Sequence, residues 1–255
     1  MPIRHAIPPA AIALAALLLA ACQQPGAQMA RLVERQGGIT APAFEDAELA
    51  AVDEAFRATV AAPPAEDAAV AARIVAERDR LEPPYFYEAA RRLLATDPNA
   101  ALEWFAFGQL RARYDALRCA DESAGDFVFA LPQIAPEVTR TAEANLPAYG
   151  AAGLRALARP ELFVGTASPW WICARSRSAA ERVAKGEPAR ASVWLKPEDE
   201  WPSIRQALRD LMGESYRRLA GAPPAPTPSP APPAPAEAGP APDAAPAPAE
   251  APAAS

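Results

Sequence analysis

Histidine is almost missing from this chain: the only one is His5. It lies in an apolar leader of the kind removed on export, so the mature protein is expected to contain none. That excludes Ser-His-Asp and Cys-His nucleophile systems, histidine acid/base chemistry, and histidine-ligated zinc or iron. Lysine is nearly as scarce, with arginine outnumbering it 23 to 2. Together with abundant alanine and proline, that ratio reads as a coding bias, so no arginine is singled out for being arginine. Aromatics make up only 7% of the residues, and much of the 51% hydrophobic fraction is alanine. Glycine-rich phosphate loops, nucleophile elbows and metal-ligand clusters are absent from the sequence, and no cofactor or metal is expected. The net charge is −6, and removing residues 1–21 takes away Arg4 and no acid, leaving −7. A mildly acidic chain of this kind gives no electrostatic footing for nucleic acid.

What the 255 residues do contain begins with Arg4 and an apolar run from Ala10 to Ala21. Crossing a bilayer as a helix takes about 20 apolar residues, so this run is too short to span and has the dimensions of a secretory signal. Leu19-Ala20-Ala21-Cys22 follows directly. These four residues resemble the lipobox of bacterial lipoproteins: a branched apolar residue, two small ones, then cysteine. The resemblance implies diacylglyceryl transfer to the Cys22 sulfur, cleavage before Cys22 and acylation of the new amino terminus. Several acyl tails hold a protein on a membrane far better than one, which gives only marginal binding. In that family the residue after the cysteine influences sorting. Gln23 is not the aspartate associated with inner-membrane retention, which implies an outer-membrane destination.

With Cys22 lipidated, Cys119 and Cys173 are left over in an oxidising compartment, and they are expected to form one disulfide. A redox pair is the alternative, but the Cys-x-x-Cys spacing is absent. Trp170-Trp171-Ile172, just before Cys173, is expected to pack around the bridge.

Residues 22–44 lack periodicity and read as a tether. Residues 45–221 read as a helical domain, and 222–255 as a Pro/Ala tail. The tail holds 13 of the 31 prolines and is expected to be disordered or extended. Within the domain, Leu49, Val52, Phe56 and Val60 recur at helical spacing, and a second helix carries Val70, Ile74 and Leu81. Tyr85, Phe86, Ala89, Ala90, Leu93 and Leu94 mark a third. Asp97 and Pro98 then read as the N-cap and first residue of a fourth. The short turn between the third and fourth requires an antiparallel hairpin. Shorter helices are expected over 136–145, 147–158 and 176–185. A final one carries Trp201, Ile204, Leu208, Leu211, Ser215 and Leu219 on one face and is closed by Gly221. Ala191–Leu195 is loosely extended, but one short run cannot make a sheet. The predicted class is all-α.

Asp97, Ala101, Trp104, Phe105 and Gly108 resemble one helix pair of the Sel1-like, tetratricopeptide-related repeats, over residues 84–118. In that family small residues let the helices approach and the aromatics fill the groove between them. The glycine-bearing loop usual between such helices is missing here, and no second copy recurs at a fixed period.

Chemistry, if present, falls to carboxylates. Gly213-Glu214-Ser215 places a glutamate before a serine, as in lytic transglycosylases, but near the end of the last helix; a solvated helix residue is the reading preferred. Asp121-Glu122-Ser123 is read as the cap of a following helix with local ion pairs to Arg118 or Arg113. The aromatic stripes Tyr85-Phe86-Tyr87 and Trp104-Phe105-Phe107 are read chiefly as core. Tyr85, Tyr87 and Phe107 are kept as candidates for lining a partner-binding groove. The function expected is therefore a non-enzymatic outer-membrane lipoprotein, held to the membrane through Cys22. Its partner would be an envelope protein or peptidoglycan. A carboxylate-based peptidoglycan hydrolase and an accessory subunit of an envelope machine are the alternatives.

Overall fold

The computed structural model describes residues 47–221; the leader, Cys22, the tether and the Pro/Ala tail lie outside the described residues. The all-α class holds. Nine α-helices appear among the described residues: α1 (Ala47–Val60), α2 (Asp67–Ala76), α3 (Pro84–Leu93), α4 (Pro98–Arg118), α5 (Pro136–Ala144), α6 (Leu146–Ala158), α7 (Trp170–Cys173), α8 (Arg177–Ala184) and α9 (Trp201–Leu219). Proline marks the first turn of α3, α4, α5, α6 and α9, where its missing N–H costs nothing. Asp97 caps α4 by accepting from the Ala100 amide at 2.9 Å. Asn145 and Ser176 do the same for α6 and α8. Gly221 follows α9 at φ +68°, the left-handed turn that glycine takes without strain.

The α3–α4 hairpin is the centre of the domain. Phe86 packs on Trp104 and Phe107 with centroids 5.9 and 4.9 Å apart, and Tyr87 meets Phe105 edge-on at 5.3 Å. A Cβ on Gly108 would sit 3.1 Å from the Phe86 Cβ and the Tyr87 ring, so the small residue does permit the close helix approach. From Phe105 the aromatic contacts continue through Tyr149 of α6 to Tyr216 of α9. Gly150 and Gly153, one turn apart on α6, let α9 settle there, because a Cβ on either would collide with α9's backbone or with the Tyr216 ring.

One buried cation fastens the N-terminal helices to this centre. The Arg92 side chain is fully buried and forms ion pairs with Glu88 and Asp67, both at 2.6 Å. It also donates to the carbonyls of Thr59, Val60 and Ala62. These carbonyls lie at the end of α1 and just beyond it, and among the described residues only that of Thr59 has a backbone donor as well, the Ala62 amide at 3.3 Å, so a single guanidinium caps α1 and pins it to α3.

Three boundaries differ from expectation. α2 stops at Ala76, and Leu81 packs on the core from the turn that follows. Residues Glu122–Ile134 form a 13-residue 3-10 segment that amphipathic α-spacing does not reveal. Its buried or half-buried apolar residues Val128, Leu131 and Ile134 recur every third position, the period of that helix. On α9 the buried line runs through Leu208, Gly213 and Tyr216, while Leu211 is 64% exposed. The docking of Tyr216 over Gly153 sets the helix's rotation, and it turns Leu211 to solvent. The Ala191–Leu195 run contributes a lone bridge, Leu195 to Cys119, and no strand forms among the described residues.

Candidate functional site

Cys119 and Cys173 form the disulfide, with Cα atoms 5.5 Å apart, tying the end of α4 to α7. Trp170, Trp171 and Ile172 are all buried beside it. The Trp171 indole donates to Asp115 Oδ2 at 2.9 Å, and Arg118 pairs with the other oxygen at 2.5 Å. Arg190 lies over the rings of Trp170 and Trp194, at 4.4 and 5.1 Å, and pairs with Glu48. These contacts clip the 186–197 loop over the disulfide.

The carboxylates singled out in sequence do local work. Asp121 accepts from the Ser123 amide at 2.9 Å and from the Ser178 amide at 2.8 Å, so it caps the 3-10 segment and holds the start of α8. Burial pushes its carboxyl up, but the hydrogen bonds from Ser123 and Ser178 outweigh it and hold the group well below the usual carboxylate range. The expected partners are different, however. Arg118 turns to Asp115, Arg113 bonds Gln109, and Glu122 faces Lys196 at 3.7 Å. Glu214 is 45% exposed, at 3.6 Å from both Arg217 and Arg218.

The proposed partner-facing aromatics require correction. Tyr87 and Phe107 are wholly buried in the α3–α4 interface, where they meet Phe105 and Phe86; neither reaches a partner. Burial pushes the Tyr87 hydroxyl far above its ordinary value, with Arg113 opposing and Tyr149 adding to the rise. An unbroken aromatic stripe on a hairpin is consumed by the facing helix, which is why both went inward. Tyr85 is different. It too is buried, at 6% exposure, yet it forms part of the wall of a groove.

That groove, about 100 Å³, lies between α1, the start of α3, the 3-10 segment and α7. Phe56 meets the Tyr85 ring edge-on at 5.1 Å, and Phe127 faces Trp171 at 6.4 Å. Three charged side chains join these rings: Asp53, Glu82 and Arg175. Arg175 is turned to partners other than Glu82. It donates to Asp53 at 3.1 Å and to the Trp171 carbonyl at 3.2 Å, and it stacks on Phe127 at 4.5 Å. Glu82 has no such partner: among the described residues its carboxylate forms no ion pair. Burial pushes its carboxyl up, its own backbone amide partly offsets this, and the negative charges of Asp115 and Glu48 add to the rise.

The groove's residues are scattered over 52–175, so only tertiary packing assembles them. A faint signal existed in Leu-Glu-Pro-Pro-Tyr (81–85), where an acid is held rigidly beside an aromatic by two prolines. A second buried cation, Arg111, lies outside the groove; burial lowers its affinity for its proton, and its Nη1 has no hydrogen-bond partner among the described residues. No group of three or more His, Cys, Asp or Glu side chains that could hold a metal ion occurs among the described residues, and none of the described helices is long and apolar enough to cross a membrane. Compared with known protein families, with curated proteins and with solved structures, the chain matches none.

Proposed function

We propose that this chain is a lipid-anchored outer-membrane protein whose helical domain binds another envelope component and performs no catalysis. The observation that carries the binding reading is the groove between α1, α3, the 3-10 segment and α7: mostly apolar, walled by four aromatic rings, with one carboxylate that has no ion-pair partner among the described residues. At ~10–15 Å³ per water-sized group, 100 Å³ suits a single side chain and is too small to enclose two linked sugars. Of the two carboxylates there, Asp53 is already committed to Arg175, so Glu82 is read as the recognition group. Export and anchoring rest on Leu19-Ala20-Ala21-Cys22 and are supported by the Cys119–Cys173 disulfide, a bond that persists in oxidising compartments. The hairpin geometry around Gly108 also fits membership of the Sel1-like class, which we propose on those residues alone.

Two measurements test this. Cys22→Ala should release the protein from the membrane fraction and abolish the added acyl mass; unchanged fractionation and mass would refute the anchoring. Cross-linking in intact cells should give a reproducible adduct that Phe127→Ala loses. If no adduct rises above background, or if the purified chain releases muropeptides from isolated sacculi, the binding reading fails.

A further inference from the structure

Glu82 is placed where a carboxylate is costly. It directly precedes Pro83-Pro84, and its carbonyl accepts from the Tyr85 amide at 3.1 Å, so the backbone there is held. Its side chain is half-buried in the groove beside Tyr85. Removing an ionised carboxylate from water is unfavourable unless a cation compensates, and the charges acting on Glu82, Asp115 and Glu48, are both negative. The groove's own cation, Arg175, is directed to Asp53, the Trp171 carbonyl and the Phe127 ring and forms no ion pair with Glu82. Among the described residues the groove thus lacks one positive charge. A calcium or magnesium ion would require about six or more oxygen ligands and a zinc ion about four ligands, and the described residues present no cluster of three candidate ligands. The remaining lining is aromatic and aliphatic, which suits a hydrocarbon stem ending in a cation. Aromatic faces also attract ammonium groups directly. The volume of about 100 Å³ accommodates on the order of eight water-sized groups, enough for the five heavy atoms of a lysine side chain.

We infer that the groove is a recognition site for a lysine side chain of a partner polypeptide, its stem against Phe56, Tyr85 and Trp171 and its ammonium paired with Glu82. This rests on the binding reading above and names the chemistry the partner must present.

The test uses the full-length chain labelled with nitrogen-15 in its five tryptophans. A capped Gly-Gly-Lys-Gly-Gly peptide and its norleucine counterpart are titrated while the indole N–H signals are followed. The lysine peptide should shift the Trp171 signal saturably and bind at least tenfold more tightly than the norleucine peptide. The Trp201 indole, which donates to the Lys196 carbonyl, should not move. Glu82→Gln keeps the side chain's shape and should erase the preference for lysine. Equal affinity for both peptides, an unaltered preference in Glu82→Gln, or no shift at Trp171 would overturn the inference. If the peptides fail while the Phe127-dependent adduct persists in cells, the lysine assignment falls and the binding reading stands. If both fail, the binding reading falls as well.

Discussion

Two glycines in helix interiors should respond in opposite directions to the same substitution. Replacing a helix-interior glycine by alanine gains about 1 kcal/mol when the added methyl has room. At Gly213 it does: the nearest atoms to a new Cβ are Arg217 Nη1 at 3.4 Å and Leu157 Cδ1 at 3.8 Å, ordinary contacts. At Gly150 the Cβ would lie 2.7 Å from the Tyr216 carbonyl oxygen and 2.8 Å from the Leu219 carbonyl carbon, and closer still to the Ala220 amide nitrogen. These are backbone atoms and cannot rotate away. To restore ordinary separations α9 must retreat by roughly 1 Å, loosening the seat of Tyr216 over Gly153. Overpacking of this kind costs ~1–3 kcal/mol or more, so Gly150→Ala should lose about 2 kcal/mol net of the helix-propensity gain. At ~2–4 °C per kcal/mol for a domain of this size, the two variants should melt roughly 6–12 °C apart, Gly213→Ala above wild type and Gly150→Ala below. Differential scanning calorimetry of the full-length proteins reads this directly. A Gly150→Ala protein melting at or above wild type would refute the close seating of α9 on α6.

Three further outcomes follow from the buried polar groups and the disulfide. Arg92→Ala leaves Glu88 only its pair with Arg91, takes the paired cation from Asp67 and uncaps the carbonyls at the end of α1, and should cost ~3 kcal/mol in urea unfolding; a loss under ~1 kcal/mol would mean the network is no stronger than a surface pair. The Cys119→Ser/Cys173→Ser double variant removes a cross-link spanning 54 residues and should lose about 4 kcal/mol, measurable against wild type in the same denaturant series. Glu82 has a folded-state pKa raised above its unfolded value, so its favourable contribution is present below the unfolded carboxylate pKa and lost as pH rises through the folded one. Glu82→Gln should therefore melt higher than wild type at pH 7, with the gap closing as the pH falls to about 4; a pH-independent gap would contradict that account.

Much of this architecture is local chemistry, and local chemistry is visible in a linear chain. Asp97-Pro98 announces the start of α4 because a cap needs only an oxygen three residues before an amide. The prolines delimit the helices because each lacks a donor wherever it stands. Cys119 and Cys173 could be paired by elimination, since only two thiols remained. The 3-10 segment was harder: its three-residue apolar period resembles neither an α-helix nor a strand. The fate of the aromatics was harder still. Tyr85, Phe86 and Tyr87 are adjacent and chemically alike, yet Phe86 and Tyr87 are sealed under α4 while Tyr85 joins Phe56 at the groove.

The scarcity of histidine, the apolar run Ala10–Ala21, the lipobox-like Leu19-Ala20-Ala21-Cys22 and the Pro/Ala-rich C-terminal segment are properties of the sequence alone, because each depends on composition or on neighbours within a few residues. So is the all-α class, since 3.6-residue periodicity and capping are local. Tertiary structure alone decided which carboxylate went without a cation. Asp121, Asp115 and Glu214 find donors or cations close along the chain or across the fold. Arg175 reaches Asp53 from 122 positions away, leaving Glu82 without an ion-pair partner among the described residues, in a mostly apolar groove. Which charges are satisfied depends on distances between segments remote in the chain, and only folding sets those distances.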